Sequence, residues 1–289
     1  MNRYYLHLIK PGIVIGNVMS SIGGFLIASR GQMYNLLFIK MIIGISLVIA
    51  SSCVLNNIID RDIDSVMERT KNRVLVQYSN LLLNKSILYA IILSIFGFLC
   101  LSYTKNFLIV YLAAAGLLIY VGIYSLWMKR RSIYSIIVGS ISGAMPPVIG
   151  YCTVTNRFDT GALILLMIFS LWQIPHSYSI TILRLHDYKV ALIPTFPIKK
   201  GVKLTKNHMI VYIIGFIVAT ILFTVMGYTS YIFLIIISIM NLWWLYIGSY
   251  GYKIINNDSV WAKKMFQLSI IIVVSLNLLL SLDPILFHI

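Results

Sequence analysis

Negative charge is what this chain has least of: its 289 residues carry eight Asp and Glu side chains against 23 Lys and Arg, a formal net charge of +15. Charge of either sign is sparse, at 11% of residues, whereas 60% are apolar and the mean hydropathy is +0.91. Too few charged groups remain to cover a soluble globule of this size, which excludes an ordinary soluble fold and indicates a polytopic membrane protein. Cysteine is scarce too. Cys53, Cys100 and Cys152 fall in or beside apolar runs without metal-type spacing, so they read as small buried hydrophobes and no disulfide framework is indicated. The basic excess would suggest nucleic acid in a soluble chain, but here Lys and Arg sit in short loops between apolar runs, as membrane topology by itself produces. The first apolar run, reached through MNRYYLHLIKPG, has no small-residue cleavage site behind a short core and reads as a retained span.

Crossing a hydrocarbon core about 30 Å thick takes about 20 helical residues. Nine runs approach that length, at 12–29, 36–57, 85–103, 107–127, 133–152, 161–183, 209–227, 229–248 and 266–283. An all-α membrane protein of one domain, 1–289, is therefore expected. Connections as short as 104–106 and Tyr228 make antiparallel hairpins of the spans they join. Nineteen Lys and Arg, among them Arg61, Arg69, Lys71, Arg73, Lys129 and Lys253, fall on one side of this topology, against Arg30, Lys40, Lys105 and Arg157 on the other. The positive-inside rule then puts the N-terminus in the cytoplasm and the C-terminus outside. Gly12 with Gly16, Gly23 with Gly24, and Gly139 with Gly143 are expected to mark close helix contacts. Pro146, Pro147 and Pro175 are expected to interrupt their helices.

Half of the scarce negative charge is concentrated in one place. Asp60, Asp62, Asp64 and Glu68 lie within nine residues at the cytoplasmic end of the second span, in the run NNIIDRDIDSVMERTKNR. Asn56, Asp60 and Asp64 recur every four residues and drift only about 80° around a helix, so they share one face. Two carboxylates and an amide oxygen make a hard, oxygen-rich face suited to Mg²⁺, which keeps waters and takes up substrate phosphates. Asp62 points elsewhere and is expected to pair with a nearby Arg. Arg61, Arg69 and Arg73 offer planar forks for phosphate oxygens beside that face, while Lys71 and Lys85 read as membrane anchors. An acidic cluster at a helix end is in general a solvated loop; the spacing and the membrane edge favour a site here.

A second stretch, FSLWQIPHSYSITILRLHDYKVALIPTFPIKKG, sets Trp172, Gln173 and His176 in an apolar helix and Asp187, Tyr188 and Lys189 at its cytoplasmic end. Gln173 and His176 near mid-membrane suggest a polar-lined cavity as readily as one hydrogen-bonded histidine. Asp187 with Lys189 could extend a phosphate or metal site, or form a juxtamembrane ion pair. Lys129, Arg130 and Arg131 read first as anchors and second as contacts for an anion.

The N-x-x-x-D-x-x-x-D pattern of Asn56, Asp60 and Asp64 resembles the first aspartate-rich motif of the UbiA-type intramembrane prenyltransferases. The runs NNIIDRDIDSVMERTKNR, GAMPPVIGY, FSLWQIPHS and HDYKVALIP, with LIKPG near the start and WAKKMF near the end, resemble more narrowly the members of that family that farnesylate haem, over nearly the whole chain. Quinone-forming relatives usually carry a second D-x-x-x-D motif; here Asp187 stands alone, followed by Tyr188 and Lys189. Val74 also replaces a proline that many members carry after the Arg73 position. The resemblance implies nine helices around a central cavity open to the cytoplasm, in the lipid bilayer of a bacterial inner membrane. It implies transfer of farnesyl from farnesyl diphosphate to a vinyl group of haem B, with addition of water. Mg²⁺ would be held by Asp60 and Asp64 with Asn56 in support, and Arg61 would join them in the catalytic set. Arg69, Arg73, Lys189, Asp187 and Tyr188 would bind substrate at the diphosphate end, and Gln173 and His176 at the haem. Contact with a terminal oxidase assembly is a further implication, and no nucleic acid is expected. Two other readings stay open: transfer to an aromatic quinone precursor, and a haem or ion transporter without chemistry, for which paired broken helices would speak.

Overall fold

The computed structural model of the chain describes residues 2–32, 34–251 and 257–287, and every regular element among them is a helix. Lys253, counted above with the cytoplasmic positive charge, lies outside the described residues. A short α1 (Asn2–Leu8) leads into α2 (Pro11–Ser29) and α3 (Asn35–Ile59), followed by the small helices α4 (Arg61–Val66) and α5 (Val74–Gln77). Next come α6 (Ser79–Ser102), α7 (Phe107–Arg131), α8 (Ser135–Thr155) and α9 (Thr160–Leu183). Small helices α10 (Leu185–Val190) and α11 (Phe196–Lys200) precede α12 (Val202–Val225), α13 (Tyr231–Tyr250) and α14 (Asp258–Phe287). Among the described residues nine helices are long and apolar enough to cross a membrane, and the chain is an integral membrane protein. Helices satisfy every backbone group within the segment, which hydrocarbon demands. Their ends are capped where the chain turns: Asp159 accepts from the Ala162 N–H at 3.1 Å and Ser230 from the Phe233 N–H at 3.1 Å.

The structure moves three expected starts by six residues or more. α6 begins at Ser79 rather than 85, α12 at Val202 rather than 209 and α14 at Asp258 rather than 266. For α12 and α14 the cause is an ion pair on a buried lysine, which lets both helices run past their apolar stretches. Lys206 Nζ donates to Asp258 at 2.6 Å and to the Gly251 carbonyl at 2.8 Å, and lies 5.0 Å from the Trp261 ring centroid. The expected interruptions at Pro146, Pro147 and Pro175 do not occur, since α8 and α9 run through all three. The broken helices that a transporter would need are therefore not found at these prolines.

Four helices form the interior, with α2 packed on α8 and α14, and α9 on α8 and α14. α3 and α6 pair on one flank, while α12 and α13 form the hairpin on the other. At the centre α2 and α8 touch backbone to backbone. A Cβ on Gly24 would lie 2.0 Å from the Pro147 carbonyl oxygen, and one on Gly150 would lie 2.0 Å from that of Ser21. Gly23 packs closely on α14, where a Cβ would lie 3.4 Å from the Asn277 carbonyl oxygen, and the other expected contacts differ. Gly12 and Gly16 meet nothing within 4 Å and line a cavity, while Gly139 and Gly143 make room for the Tyr124 ring and the Gln173 amide instead of a helix backbone.

Candidate active site

α3 carries both halves of the site. Ser52 and Cys53 face a cavity inside the bundle, Asn56 follows one turn on, and the helix ends at Asp60, which is 1% exposed. The backbone keeps its helical course across the junction with α4. Asp60 N–H donates to Asn56 O at 2.9 Å and Asp64 N–H to Asp60 O at 2.7 Å, and Asn56, Asp60 and Asp64 are all buried. Asn56 Nδ2 donates to Asp60 Oδ2 at 2.8 Å, as neighbours four residues apart on one helix face can.

Each residue of this face meets a cation. Lys10, from the corner between α1 and α2, donates to Asn56 Oδ1 at 2.6 Å; Lys129, at the end of α7, donates to Asp60 Oδ2 at 2.5 Å; and Arg73 donates to Asp64 Oδ2 at 2.5 Å. Buried carboxylates keep their charge only when so paired. Burial first, and the charge of Arg73 second, pull the Lys10 ammonium down to about 8, against the pull of the nearby carboxylates. One acceptor is left over, because Asp60 Oδ1 is buried and has no hydrogen-bond partner. Among the described residues no group of three or more His, Cys, Asp or Glu gathers as a metal cluster. The donor set is thus two carboxylates and an amide, hard oxygens that fit Mg²⁺, an ion that takes few protein ligands and completes its shell with water and phosphate.

Asp62 points away from this face, as its spacing requires. Its carboxylate receives both prongs of Arg130, at 2.6 and 2.7 Å, and Arg130 also donates to Ile59 O at 2.8 Å. The Arg130 hydrogen bonds hold the Asp62 carboxyl down at about 2. The second stretch meets the first here. Glu68 N–H donates to Asp187 Oδ1 at 3.2 Å, and Tyr188 packs with Ile63, Met67 and Ile193. Asp187 and Tyr188 therefore clasp the segment that carries Asp64. Arg69 and Arg73 line a cavity of about 330 Å³ together with Asp64 and Lys10. Arg61 and Lys189 make no ion pair among the described residues, and Lys189 is exposed.

The cavity beside Ser52 and Cys53, about 490 Å³ and partly open, is lined from α2, α3, α7, α8, α9 and, through Val273, α14, and no Asp, Glu, Lys or Arg is among its lining residues. Its polarity comes from neutral groups such as Asn17, Tyr120, Gln173 and His176. α7 is π-helical over Leu118–Met128, a wide turn that recurs at functional sites. This stretch carries Tyr120 to the cavity and Ser125 to Asn56 Nδ2 at 3.1 Å, and it ends at Lys129. Gln173 lies against Gly143, where a Cβ would come within 1.9 Å of its Oε1.

Residues 17–271 match the pattern of the UbiA prenyltransferase family. The chain belongs to that family. The protoheme IX farnesyltransferase of Blochmanniella pennsylvanica (strain BPEN) is 78% identical over 287 residues, covering 99% of this chain and 98% of that protein. The protoheme IX farnesyltransferase of Sodalis glossinidius (strain morsitans) is 53% identical over 98% of this chain and 95% of its own length. Among solved structures, a digeranylgeranylglyceryl phosphate synthase aligns with a TM-score of 0.81 at 19% identity, over 98% of both chains. A UbiA homologue from Archaeoglobus fulgidus bound to GPP and Mg²⁺ aligns with a TM-score of 0.69 at 12% identity, over 96% of this chain and 99% of that one. These two likenesses show that the nine-helix fold is the UbiA fold.

For a UbiA-family chain the structure adds Lys10, Lys129 and Ser125 to the residues expected at the acidic face. Lys10 and Lys129 look in the sequence like membrane anchors, since each stands at the end of an apolar run. Their partners are 46 and 69 residues away, beyond any local spacing rule. The expected anchor Arg130 likewise proves to be the partner of Asp62.

Proposed function

We propose that this protein is an intramembrane farnesyltransferase that joins the farnesyl group of farnesyl diphosphate to a vinyl carbon of haem B. One observation carries the reading: the Asn56–Asp60–Asp64 face, with its unpartnered Asp60 oxygen, stands one to two turns along α3 from a cavity whose lining has no formal charge. Such a pair of regions suits a molecule with a doubly phosphorylated head and an apolar tail. The names of the protoheme IX farnesyltransferases at 78% and 53% identity support haem as the acceptor.

Asp60 and Asp64, with Asn56 in support, would hold Mg²⁺, which would supply neutralisation of the diphosphate so that it can leave. Lys10, Arg73 and Lys129 now spend their charge on the same three side chains, so they stand where the diphosphate oxygens would come. Arg69 completes the clamp, and Arg61 and Lys189 approach from the rim. The allylic C–O bond breaks with its electron pair on the diphosphate, and the vinyl π electrons of haem attack the allylic cation. The new cation beside the porphyrin takes a water oxygen and releases a proton, so that the products are hydroxyethylfarnesyl haem, diphosphate and H⁺. The uncharged cavity, faced by Tyr120 and Trp172, offers no carboxylate to capture the first cation.

The same reading takes 1–289 as one domain in a bacterial inner membrane. The charged rim and the N-terminus face the cytoplasm, consistent with nineteen of 23 Lys and Arg on that side. Its product would go to a terminal oxidase assembly. Incubating the purified protein with haem B, farnesyl diphosphate and Mg²⁺ should give hydroxyethylfarnesyl haem by mass, and chelating the metal should stop it. Prenylation of an aromatic quinone precursor, with haem left unchanged, would overturn the assignment.

A further inference from the structure

Ser269, on α14, is fully buried and spends its hydroxyl hydrogen on the Phe266 carbonyl at 2.6 Å. A hydroxyl has one hydrogen to give. The same oxygen lies 2.8 Å from His176 Nδ1, so in that bond the imidazole is the donor and Ser269 the acceptor. A neutral imidazole with its hydrogen on Nδ1 keeps a lone pair on Nε2. The ring has little freedom to turn. It stacks on Trp172 with centroids 4.8 Å apart and planes at 24°, and lies 5.1 Å from the Phe266 ring. Trp172 in turn donates its indole N–H to the Ser269 carbonyl at 2.8 Å. His176 lines the uncharged cavity, and its Nε2 is not among the described buried atoms left without a partner. That nitrogen therefore keeps accessible surface instead of being sealed in the packing.

We infer that Ser269 is a positioning residue: it holds His176 as the Nδ1–H tautomer and so presents the Nε2 lone pair to the iron of a haem in the inner cavity. This rests on the haem-farnesylating reading above. An imidazole nitrogen is a standard axial ligand of haem iron, and a hydrogen bond from the other nitrogen both fixes its orientation and raises its basicity. Besides His176, the lining groups that can ionise are Cys53 and Tyr120, and no charge competes with the imidazole for the iron. The acceptor would thus be anchored through α9 and α14, on the wall away from the acidic rim.

The test is titration of ferric haem into the full-length protein in lipid nanodiscs, followed by optical and EPR spectra. The wild type should show histidine-bound iron, His176→Ala should lose that signature, and added imidazole should restore it. Ser269→Ala leaves the Trp172 bond to the backbone carbonyl in place, yet should weaken haem binding about 10- to 100-fold and shift the iron signature. Ser269→Thr, which keeps the hydroxyl, should recover it. Ser269→Cys, close to serine in size but a weak acceptor, should behave as Ser269→Ala and guards against a mere packing effect. Unchanged haem spectra and affinity in both the Ala and Cys variants overturn the inference, as does a wild-type spectrum that His176→Ala does not alter. Failure of the underlying function shows separately, as a wild type that makes no farnesylated haem.

Discussion

At the rim around Asp60 the polar groups are mostly formal charges and the carboxylates of Asp60, Asp62 and Asp64 are each paired with a cation, whereas the cavity that begins at Cys53, two turns back on the same helix, has no formal charge in its lining. The difference separates two tasks. A leaving diphosphate needs cations and hard oxygens that are already in place, and a carbocation is best kept from carboxylates and other anions that would capture it. α3 joins the two regions by a rise of about 10 Å over seven residues, which is also a fitting distance between a diphosphate and the first carbons of its prenyl chain. Their stability differs as well. The rim is held by ionic bonds, of which those to the buried Asp60 and Asp64 are costly to break singly, and the cavity by shape.

The largest effect expected from breaking this contrast is at Asp60 or Asp64. Replacing either with Ala should lower farnesylation by about 10²–10³-fold or more, read as haem product per enzyme after confirming that the variant inserts in the membrane. Activity retained by both variants would remove the rim from the chemistry. Next comes Lys129→Met, which strands the buried Asp60 carboxylate and should cost about 3–5 kcal/mol of stability, seen as a lower melting temperature in detergent. Pairing it with Asp60→Asn should return most of that loss while activity stays absent, separating the ionic bond from the catalysis. On the cavity side, Gly143→Ala drives a methyl into the end of the flexible Gln173 side chain, which can turn aside into the cavity at a cost of about 1 kcal/mol, with a raised KM for the apolar substrates. Adding Gln173→Ala should relieve the strain. If Gly143→Ala is silent, shape does not define the cavity.

The smallest effect belongs to Asp62→Asn or Arg130→Ala. This fork is partly exposed, with side chains 65% and 34% accessible, so solvent screening limits it to about 1 kcal/mol at most. Its sign with pH is fixed. The Asp62 carboxyl is held at about 2 against about 3.9 in the unfolded chain, so its contribution is complete above the higher value and disappears as the pH falls through the lower one. Melting temperatures of wild type and Asp62→Asn should therefore keep a constant gap from about pH 8 to 5, narrow below about pH 4 and close near about pH 2, and shrink in high salt.

What could be read from the sequence was local. The Asn56–Asp60–Asp64 face and the turning away of Asp62 follow from four-residue periodicity, and each helical span follows from an uninterrupted apolar run. Lys10 and Lys129 could not be read, because a cation at the end of a span looks the same whether it anchors the helix at the interface or reaches back to a carboxylate. The starts of α12 and α14 were missed because Lys206 and Asp258 cancel only once they are in contact. The prolines of α8 and α9 misled for the opposite reason: packing against neighbouring helices tolerates a missing backbone donor that composition alone counts as a break.

The reciprocal approach of Gly24 to Pro147 and of Gly150 to Ser21 has a mechanical side. Two helices whose carbonyls occupy each other's side-chain space are keyed, like a shaft and hub, and neither can roll or slide without lifting off the other. α7 faces the same cavity, buries least of its length among the nine spans and is wound with the wider turn. The cavity thus has one stiff wall and one compliant wall. Extra bulk on a ligand should therefore be better tolerated where it presses on α7 than where it presses on α2 and α8.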